Sequence, residues 1–252
     1  EQFKALYERV INDHPELFYV QGGYRYSYSG SIVVAVLPNY ETGLPDDAEE
    51  QLERVVEQAL ARIEPGMSQT EQALLLHDFL VEHVAYDWDV ATTGTAKDQM
   101  VYNAYGALVK GDAVCQGYAE AYKLLLNRCG IDSVLVSSKA MNHAWNLVKI
   151  DGSWYHVDTT WDDPTPNLPG YCGHENFLRS DMGITGPEPN KGHYGWTVPE
   201  GIAASKENEP SGLFRETNNR VYYHEGAYYY LTIKSGRGSL YRADSLTDPE
   251  PE

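Results

Sequence analysis

A thiol, an imidazole and a carboxylate occur in order at Cys115, His143 and Asp158. Together these groups can perform acyl transfer. A thiolate attacks an acyl carbon, an imidazole takes and returns the proton, and a carboxylate orients the ring and stabilises its charged form. Cys115 lies in Gly111-Asp112-Ala113-Val114-Cys115-Gln116-Gly117-Tyr118-Ala119, at or near an expected helix start, with Asp112 as the expected cap. Free N–H groups and the helix dipole at such a position favour a thiolate and can hold a developing oxyanion. Gly111 and Gly117 are expected to keep bulk away from the sulfur. A lone helix cysteine serves equally well as a small buried apolar side chain, so position alone does not decide its role.

The His and Asp are placed by a hairpin. His143-Ala144-Trp145-Asn146-Leu147-Val148-Lys149-Ile150 is followed by Asp151-Gly152, a two-residue turn signal, and then by Ser153-Trp154-Tyr155-His156-Val157-Asp158-Thr159-Thr160. With Asp151-Gly152 as the loop, Ile150 faces Ser153, Trp145 faces Asp158 and His143 faces Thr160. His143 and Asp158 then become diagonal neighbours on one face, with Cβ atoms roughly 7 Å apart, a gap that an imidazole and a carboxylate can bridge. His156 shares the Asp158 face and competes with His143 as base. Either histidine can instead be a hydrogen-bonded structural residue.

The elements that must carry these residues are legible from periodicity. Residues 3–13 read as a short amphipathic helix and 24–37 as strand or hairpin. Pro45-Asp46-Asp47 opens a helix reaching about Ile63. Ser68-Gln69-Thr70-Glu71 is a cap signal for a helix to about His83, with Ser68 or Thr70 as the cap. Residues 86–113 are polar, with a short helical stretch around Asn103–Val109. A helix then runs from about Val114 to Cys129, with Gly130 as its stop. Strands are expected at Ser133–Ser138, His143–Ile150 and Ser153–Thr160, a Pro/Gly-rich loop at 161–176, and short strands at Arg220–His224, Ala227–Ile233 and Ser239–Arg242. Helices followed by a β meander indicate an α+β fold.

Composition bounds the rest. The chain has 252 residues, 42% hydrophobic and 12% aromatic, enough for a folded domain with a substantial core. It holds 20 Tyr against 5 Phe, so many tyrosines are expected half-buried with hydrated hydroxyls. The 37 acidic and 19 basic residues give a net charge of −18, which repels nucleic acid and anionic membrane. No apolar run of about 18 residues is present, so no membrane insertion is expected. The chain begins Glu1-Gln2-Phe3, which suggests a mature or trimmed form. The three cysteines, Cys115, Cys129 and Cys172, make no disulfide framework; Cys129 reads as a buried thiol, with a Cys129–Cys172 bridge as a minor alternative. There is no Cys-x-x-Cys or His-x-x-x-His pair, so no metal and no cofactor is expected.

Three segments together resemble a known family. Val114-Cys115-Gln116-Gly117-Tyr118-Ala119, Asn142-His143-Ala144-Trp145-Asn146, and Trp154-Tyr155-His156-Val157-Asp158-Thr159-Thr160-Trp161-Asp162-Asp163-Pro164 resemble, in order, the motif blocks of the transglutaminase-like superfamily. Tyr86-Asp87 and Ala104-Tyr105-Gly106-Ala107-Leu108 resemble the upstream segment of bacterial members. The resemblance covers about residues 70–165. It implies a papain-like core in which a nucleophile helix packs on an antiparallel sheet, with Cys115 as nucleophile, His143 as base and Asp158 as orienting acid. It also implies an extracellular or cell-surface setting. The expected organisation is an N-terminal segment over 1–66 packed on the core, a catalytic core over 67–200 and a C-terminal β extension over 201–252. The second oxyanion donor is left open among Trp88, Tyr102, Tyr105 and Gln116. Trp145 and Trp161 are candidates for an acyl cleft, with core packing as the competing role. No calcium loop of the cross-linking members is evident.

The reading that follows is a cysteine-triad enzyme acting on protein or peptide amides, more a peptidase or amidase than a cross-linking enzyme, because no amine-binding feature is visible. The alternative is a non-catalytic surface or scaffold module that keeps the fold. Acetyl transfer from a CoA-type thioester would call for a phosphate-binding feature, and no Gly-rich loop or basic cluster supplies one.

Overall fold

The computed structural model describes residues 2–187, 192–199, 202 and 209–246. Helix α1 spans Gln2–Asp13, followed by the antiparallel hairpin β1 (Val20–Ser29) and β2 (Ile32–Tyr40). Helix α2 covers Ala48–Leu60. Helix α3 covers Gln69–His83 and starts on a capping box, in which Ser68 Oγ accepts from the Glu71 N–H at 3.3 Å and Glu71 Oε2 accepts from the Ser68 N–H at 2.5 Å. Ten of its residues are buried, so α3 is a central helix rather than a surface one.

Between α3 and the next long helix the chain makes β3 (Ala85–Tyr86), α4 (Trp88–Thr93), a 3-10 turn over Gln99–Tyr102, a π turn over Gly106–Lys110 and β4 (Asp112–Ala113). This is more order than the polar composition of 86–113 suggests. Helix α5 covers Cys115–Arg128, and its residues from Gly117 to Leu126 are buried. Fully burying a leucine such as Leu124, Leu125 or Leu126 contributes on the order of 1.5–3 kcal/mol. Tyr122 donates its hydroxyl to the Ala73 carbonyl at 2.9 Å and ties α5 to α3.

The other side of α5 meets a four-stranded antiparallel sheet. Strands β5 (Ser133–Ser138), β6 (His143–Ile150), β7 (Ser153–Val157) and β8 (Trp196–Thr197) lie in the order β7-β6-β5-β8. The hairpin register is the expected one, Ile150 opposite Ser153 through Asn146 opposite Val157. Asp151 and Gly152 both have positive φ, 50° and 85°, as a type I′ turn requires. Pairing stops at Val157, however. Asp158 leaves the sheet and caps the short helix α6 (Thr159–Asp162), so the third expected strand is three residues too long.

After α6 come helix α7 (Asp181–Thr185) and a C-terminal sheet of β9 (Tyr222–His224), β10 (Ala227–Lys234) and β11 (Arg237–Ala243), ordered β11-β10-β9. The expected boundary at 200–201 lies outside the described residues. Phe18 and Leu52 from the first expected segment, Leu74 and Leu125 from the second, and Phe214 and Tyr228 from the third join one apolar cluster. Tyrosines such as Tyr19, Tyr86 and Tyr223 are half-buried as expected, and a few are enclosed. The rings of Tyr118, Tyr122 and Tyr228 are enclosed, and their hydroxyls bond Asp163, the Ala73 carbonyl and Glu71 instead of water. No described helix is long and apolar enough to cross a membrane.

Candidate active site

Cys115 is the first residue of α5. The cap position is Val114, in extended backbone with no side-chain capping bond, and Asp112 lies back in β4; the expected Asp112 cap does not form. The first backbone bond of the helix is Tyr118 N–H to the Val114 carbonyl at 3.2 Å. The N–H groups of Cys115, Gln116 and Gly117 therefore precede the intrahelical ladder and sit at the positive end of the helix dipole. Gly117 serves a different purpose from the one expected. A Cβ there would meet the Val101 carbonyl oxygen at 2.6 Å and the Asn103 carbonyl oxygen at 3.2 Å, so glycine lets the 99–103 segment press onto the first turn of α5.

His143 opens β6, the strand that lies on α5. Asn146, one turn of the pleat further on, donates its amide to the Ala119 carbonyl at 2.9 Å and locks strand to helix. This contact holds β6 against α5, and His143 and Cys115 border the same cleft. The imidazole is held between two indoles, with ring centroids 5.6 Å from Trp145 and 5.5 Å from Trp161. Its Nε2 donates to Asp158 Oδ2 at 2.6 Å, which leaves Nδ1 for the sulfur.

Asp158 is buried and accepts four bonds. Oδ2 takes His143 and also His193 Nε2 at 2.7 Å; Oδ1 takes the N–H groups of Thr160 at 3.0 Å and Trp161 at 3.2 Å. Burial by itself pushes the carboxyl upward. The charge of His143 and the donated hydrogen bonds outweigh it and hold Asp158 well below the usual carboxylate range. The converse holds for His143: burial pulls it down, but the Asp158 charge and hydrogen bond, with a smaller contribution from Cys115, push it up to about 10. The site thus favours an imidazolium beside the thiol.

His193 carries no motif and escapes a reading of the sequence. Its segment is held by β8, which pairs with β5, by Ser138 Oγ donating to the Tyr194 carbonyl at 2.7 Å, and by His193 N–H donating to the Ile184 carbonyl at 2.9 Å. The neighbouring Gly192 is the one local signal. A Cβ there would lie 2.0 Å from the Thr185 carbonyl oxygen, so only glycine allows this segment to close on α7.

His156, the competing base, is used elsewhere. Its Nδ1 accepts from the Trp145 indole at 2.9 Å and its Nε2 donates to Asp181 at 2.9 Å. That fixes a neutral tautomer, and burial lowers its pKa further. The two tryptophans divide their roles: Trp145 is core, whereas Trp161 is 45% exposed and lines the cleft. The cleft, about 570 Å³, is bordered by Cys115, His143, Trp161, Trp88, Tyr102 and Tyr86. Of the four open oxyanion donors, Tyr105 lies elsewhere, stacked on Phe18 and bonded to Gln51. The Gln116 side chain is taken by Glu120 at 3.0 Å. Trp88 and Tyr102 border the cleft, as does Tyr86, which the sequence did not single out as a donor. Burial, then the charges of Cys115 and Asp158, push the Tyr86 phenol up to about 12, so it stays a donor. Cys129 is half-buried rather than enclosed, Cys172 is buried, and all three thiols are free.

Among the described residues two groups of side chains could hold a metal ion. One is His143, Asp158 and His193, whose atoms the hydrogen bonds above already employ. The other is His77, Asp78, Cys172 and His174, linked to the site through Asp162 on α6.

A family model for the transglutaminase-like superfamily matches residues 57–159. Kyphoscoliosis peptidase of Mus musculus is 25% identical over 113 residues, 39% of this chain and 17% of that protein. The Homo sapiens kyphoscoliosis peptidase is 26% identical over 97 residues, 33% of this chain and 14% of that protein. The chain thus matches less than a fifth of the length of these curated relatives. The crystal structure of a TGase aligns with a TM-score of 0.40 and 15% identity over 55% of this chain and 44% of that one. The Cys-helix, the His-strand and the Asp that follows it all lie inside or at the edge of the segment, residues 57–159, that is similar to the transglutaminase-like superfamily.

Proposed function

We propose that the chain is a cysteine-dependent hydrolase of protein or peptide amides, with Cys115 as nucleophile, His143 as acid and base, and Asp158 as the orienting carboxylate. The observation that carries this reading is the 2.6 Å bond from His143 Nε2 to the buried Asp158, with His143 and Cys115 bordering one cleft. A buried carboxylate behind an imidazole that faces a thiol at a helix N-terminus is the arrangement nucleophilic acyl transfer needs.

The Cys115 sulfur, with its proton already on His143, attacks the amide carbonyl carbon. The carbonyl electron pair moves onto oxygen, where the N–H groups at the start of α5 can receive it, with Tyr86 or Trp88 from across the cleft. The C–N bond then breaks, and the leaving amine takes the proton from His143. Water next gives a proton to His143 and adds its hydroxide to the thioester carbon. The C–S bond breaks, the acid leaves, and the thiolate is restored. An amine in place of that water would give transfer through the same acyl-enzyme. Hydrolysis is favoured because no amine-binding feature borders the cleft. A surface or extracellular setting belongs to the same reading and rests on the family resemblance.

The test is labelling with a thiol-reactive amide-like probe, followed by incubation with a peptide library and mass spectrometry. Labelling should vanish in Cys115→Ala and persist in Cys129→Ala. Cleavage, deamidation and cross-linking have different mass signatures and identify the outcome. Labelling or turnover that persists in Cys115→Ala sinks the proposal.

A further inference from the structure

The second cluster gathers four side chains with metal-ligating atoms in the interior, outside the cleft. His77 and Asp78 are adjacent on α3; Cys172 and His174 are two apart in the loop after α6. All four are buried, at 0%, 0%, 0% and 2% exposure. Asp78 Oδ1 lies 2.9 Å from His77 Nδ1, 2.9 Å from His174 Nε2 and 3.5 Å from Cys172 Sγ. Cys172 Sγ lies 3.9 Å from His174 Nε2, and all four atoms fall within 4.8 Å of one another.

The outer nitrogens of both rings have partners that leave the inner ones free to be lone pairs. His174 Nδ1 is 3.0 Å from the Thr217 carbonyl oxygen, which only accepts, so Nδ1 carries the hydrogen. His77 Nε2 is 3.1 Å from Asp162 Oδ2, so the outer nitrogen can keep the ring hydrogen when the inner one serves as a ligand. A neutral imidazole has one N–H. In that state the atoms that face the centre are two imine nitrogens, a carboxylate oxygen and a sulfur. Three of the contacts meet a single oxygen of Asp78, and its other oxygen accepts the Val221 N–H at 2.8 Å.

We propose that His77 Nδ1, Asp78 Oδ1, Cys172 Sγ and His174 Nε2 form a closed, four-coordinate structural site for a zinc ion. Zinc–ligand bonds of about 2.0–2.3 Å imply ligand-to-ligand edges of roughly 3.3–3.8 Å; the Cys172 spacings of 3.5 and 3.9 Å lie close to that range, and the two 2.9 Å spacings to Asp78 would open by a few tenths of an ångström on binding. A thiolate and a carboxylate balance a divalent charge, and the sulfur with two imidazoles selects zinc over magnesium or calcium. The outer partners complete the pattern, since metal-bound histidines hand their other N–H to a carboxylate or carbonyl, as Asp162 and Thr217 accept here. Full burial leaves no open coordination position, which assigns structure and not catalysis. The ion would clamp α3 to the loop carrying Cys172 and to the C-terminal segment that supplies Thr217 and Val221. Spacing rules look for paired cysteines or histidines one helical turn apart, so adjacent His77-Asp78 and a distant Cys172-x-His174 give them nothing to find.

The experiment is metal analysis of the whole chain after exposure to zinc chloride and removal of loose metal. A single tightly held zinc per chain is expected. It should be retained in Cys115→Ser and His193→Gln and lost in Cys172→Ser. Folded wild-type protein that takes up no zinc overturns the proposal, as does zinc that leaves with Cys115→Ser or His193→Gln but stays in Cys172→Ser. Because Cys172→Ser can fail to fold, a second arm uses the Cys115→Ser/Cys129→Ser protein, in which Cys172 is the only thiol. Loaded with cobalt, it should show tetrahedral d–d bands and a thiolate charge-transfer band. A cobalt complex without that band overturns the assignment.

Discussion

His193 Nε2 lies 2.7 Å from Asp158 Oδ2, the same oxygen that holds His143 at 2.6 Å. One carboxylate oxygen thus serves two imidazoles, and the second of them is fully buried, with no partner for its Nδ1 among the described residues. A residue so placed acts on the cysteine through Asp158 and His143, as a positioning residue. His193→Phe keeps a ring against Trp145 and Trp161 but removes the donor. A charge-assisted hydrogen bond is worth about 1.5–3 kcal/mol, so the rate of Cys115 alkylation at neutral pH should fall about 10- to 100-fold. Its acid limb should also move to higher pH, because Asp158 loses one of the donors that keep it ionised. An unmoved pH profile would leave His193 a packing residue only.

His143 should stay protonated well above the range of a free imidazole. Its folded pKa is raised to about 10, so the stabilisation from the Asp158 pair is complete below the unfolded value near 6.5 and is lost as pH rises through about 10. Asp158 is shifted the other way, so its contribution is present above the ordinary carboxylate range and is lost as pH falls toward its lowered folded value. Nitrogen-detected NMR of His143 should show the imidazolium at pH 8, and Asp158→Asn should bring its titration down by more than a unit. A His143 that titrates near 6.5 in the wild type contradicts the ion-pair description.

Glu120, one turn into α5, makes an independent prediction. Burial pushes its carboxyl up to about 7, against smaller opposing help from Gln116 and the Ala104 N–H. Between the unfolded value and about 7 the folded state binds the extra proton, so stability declines as pH rises through that window. Glu120→Gln removes the titrating group and should stabilise the protein at pH 8 by on the order of 1–3 kcal/mol while changing little at pH 5. Denaturant melts at the two pH values decide the matter; equal effects at both would show that Glu120 does not titrate in this window.

Gly117 is a packing requirement beside the nucleophile. Alanine there drives a methyl group to 2.6 Å from the Val101 carbonyl oxygen and 2.9 Å from Ala113 Cβ. Gly117→Ala should cost about 1–3 kcal/mol of stability and displace the 99–103 segment. A crystal structure of the variant with that segment unmoved, at wild-type stability, would show that the contact yields cheaply.

The sequence by itself determined the local parts of this protein. The Asp151-Gly152 turn set the register of β6 and β7, because two adjacent residues with positive φ allow only one short hairpin. Ser68 with Glu71 set the start of α3, and Gly130 set the stop of α5. The hairpin by itself made His143 and Asp158 diagonal neighbours, whereas Cys115 joined them only through the resemblance of three segments to the transglutaminase-like superfamily. Tertiary structure decided what lies between elements. Asp158 departs from the strand at Val157 because its carboxylate caps α6, which turns a cross-strand neighbour into a helix cap facing two histidines. His193 reaches Asp158 only through the pairing of β8 with β5, a contact across the chain that no local pattern encodes. His156, adjacent to the same strand end, was excluded as base only when Trp145 and Asp181 took both of its nitrogens. The convergence of His77 and Asp78 with Cys172 and His174 belongs to the same class: each pair is unremarkable in its own segment, and their meeting depends on how α3, α6 and the C-terminal strands pack into one core.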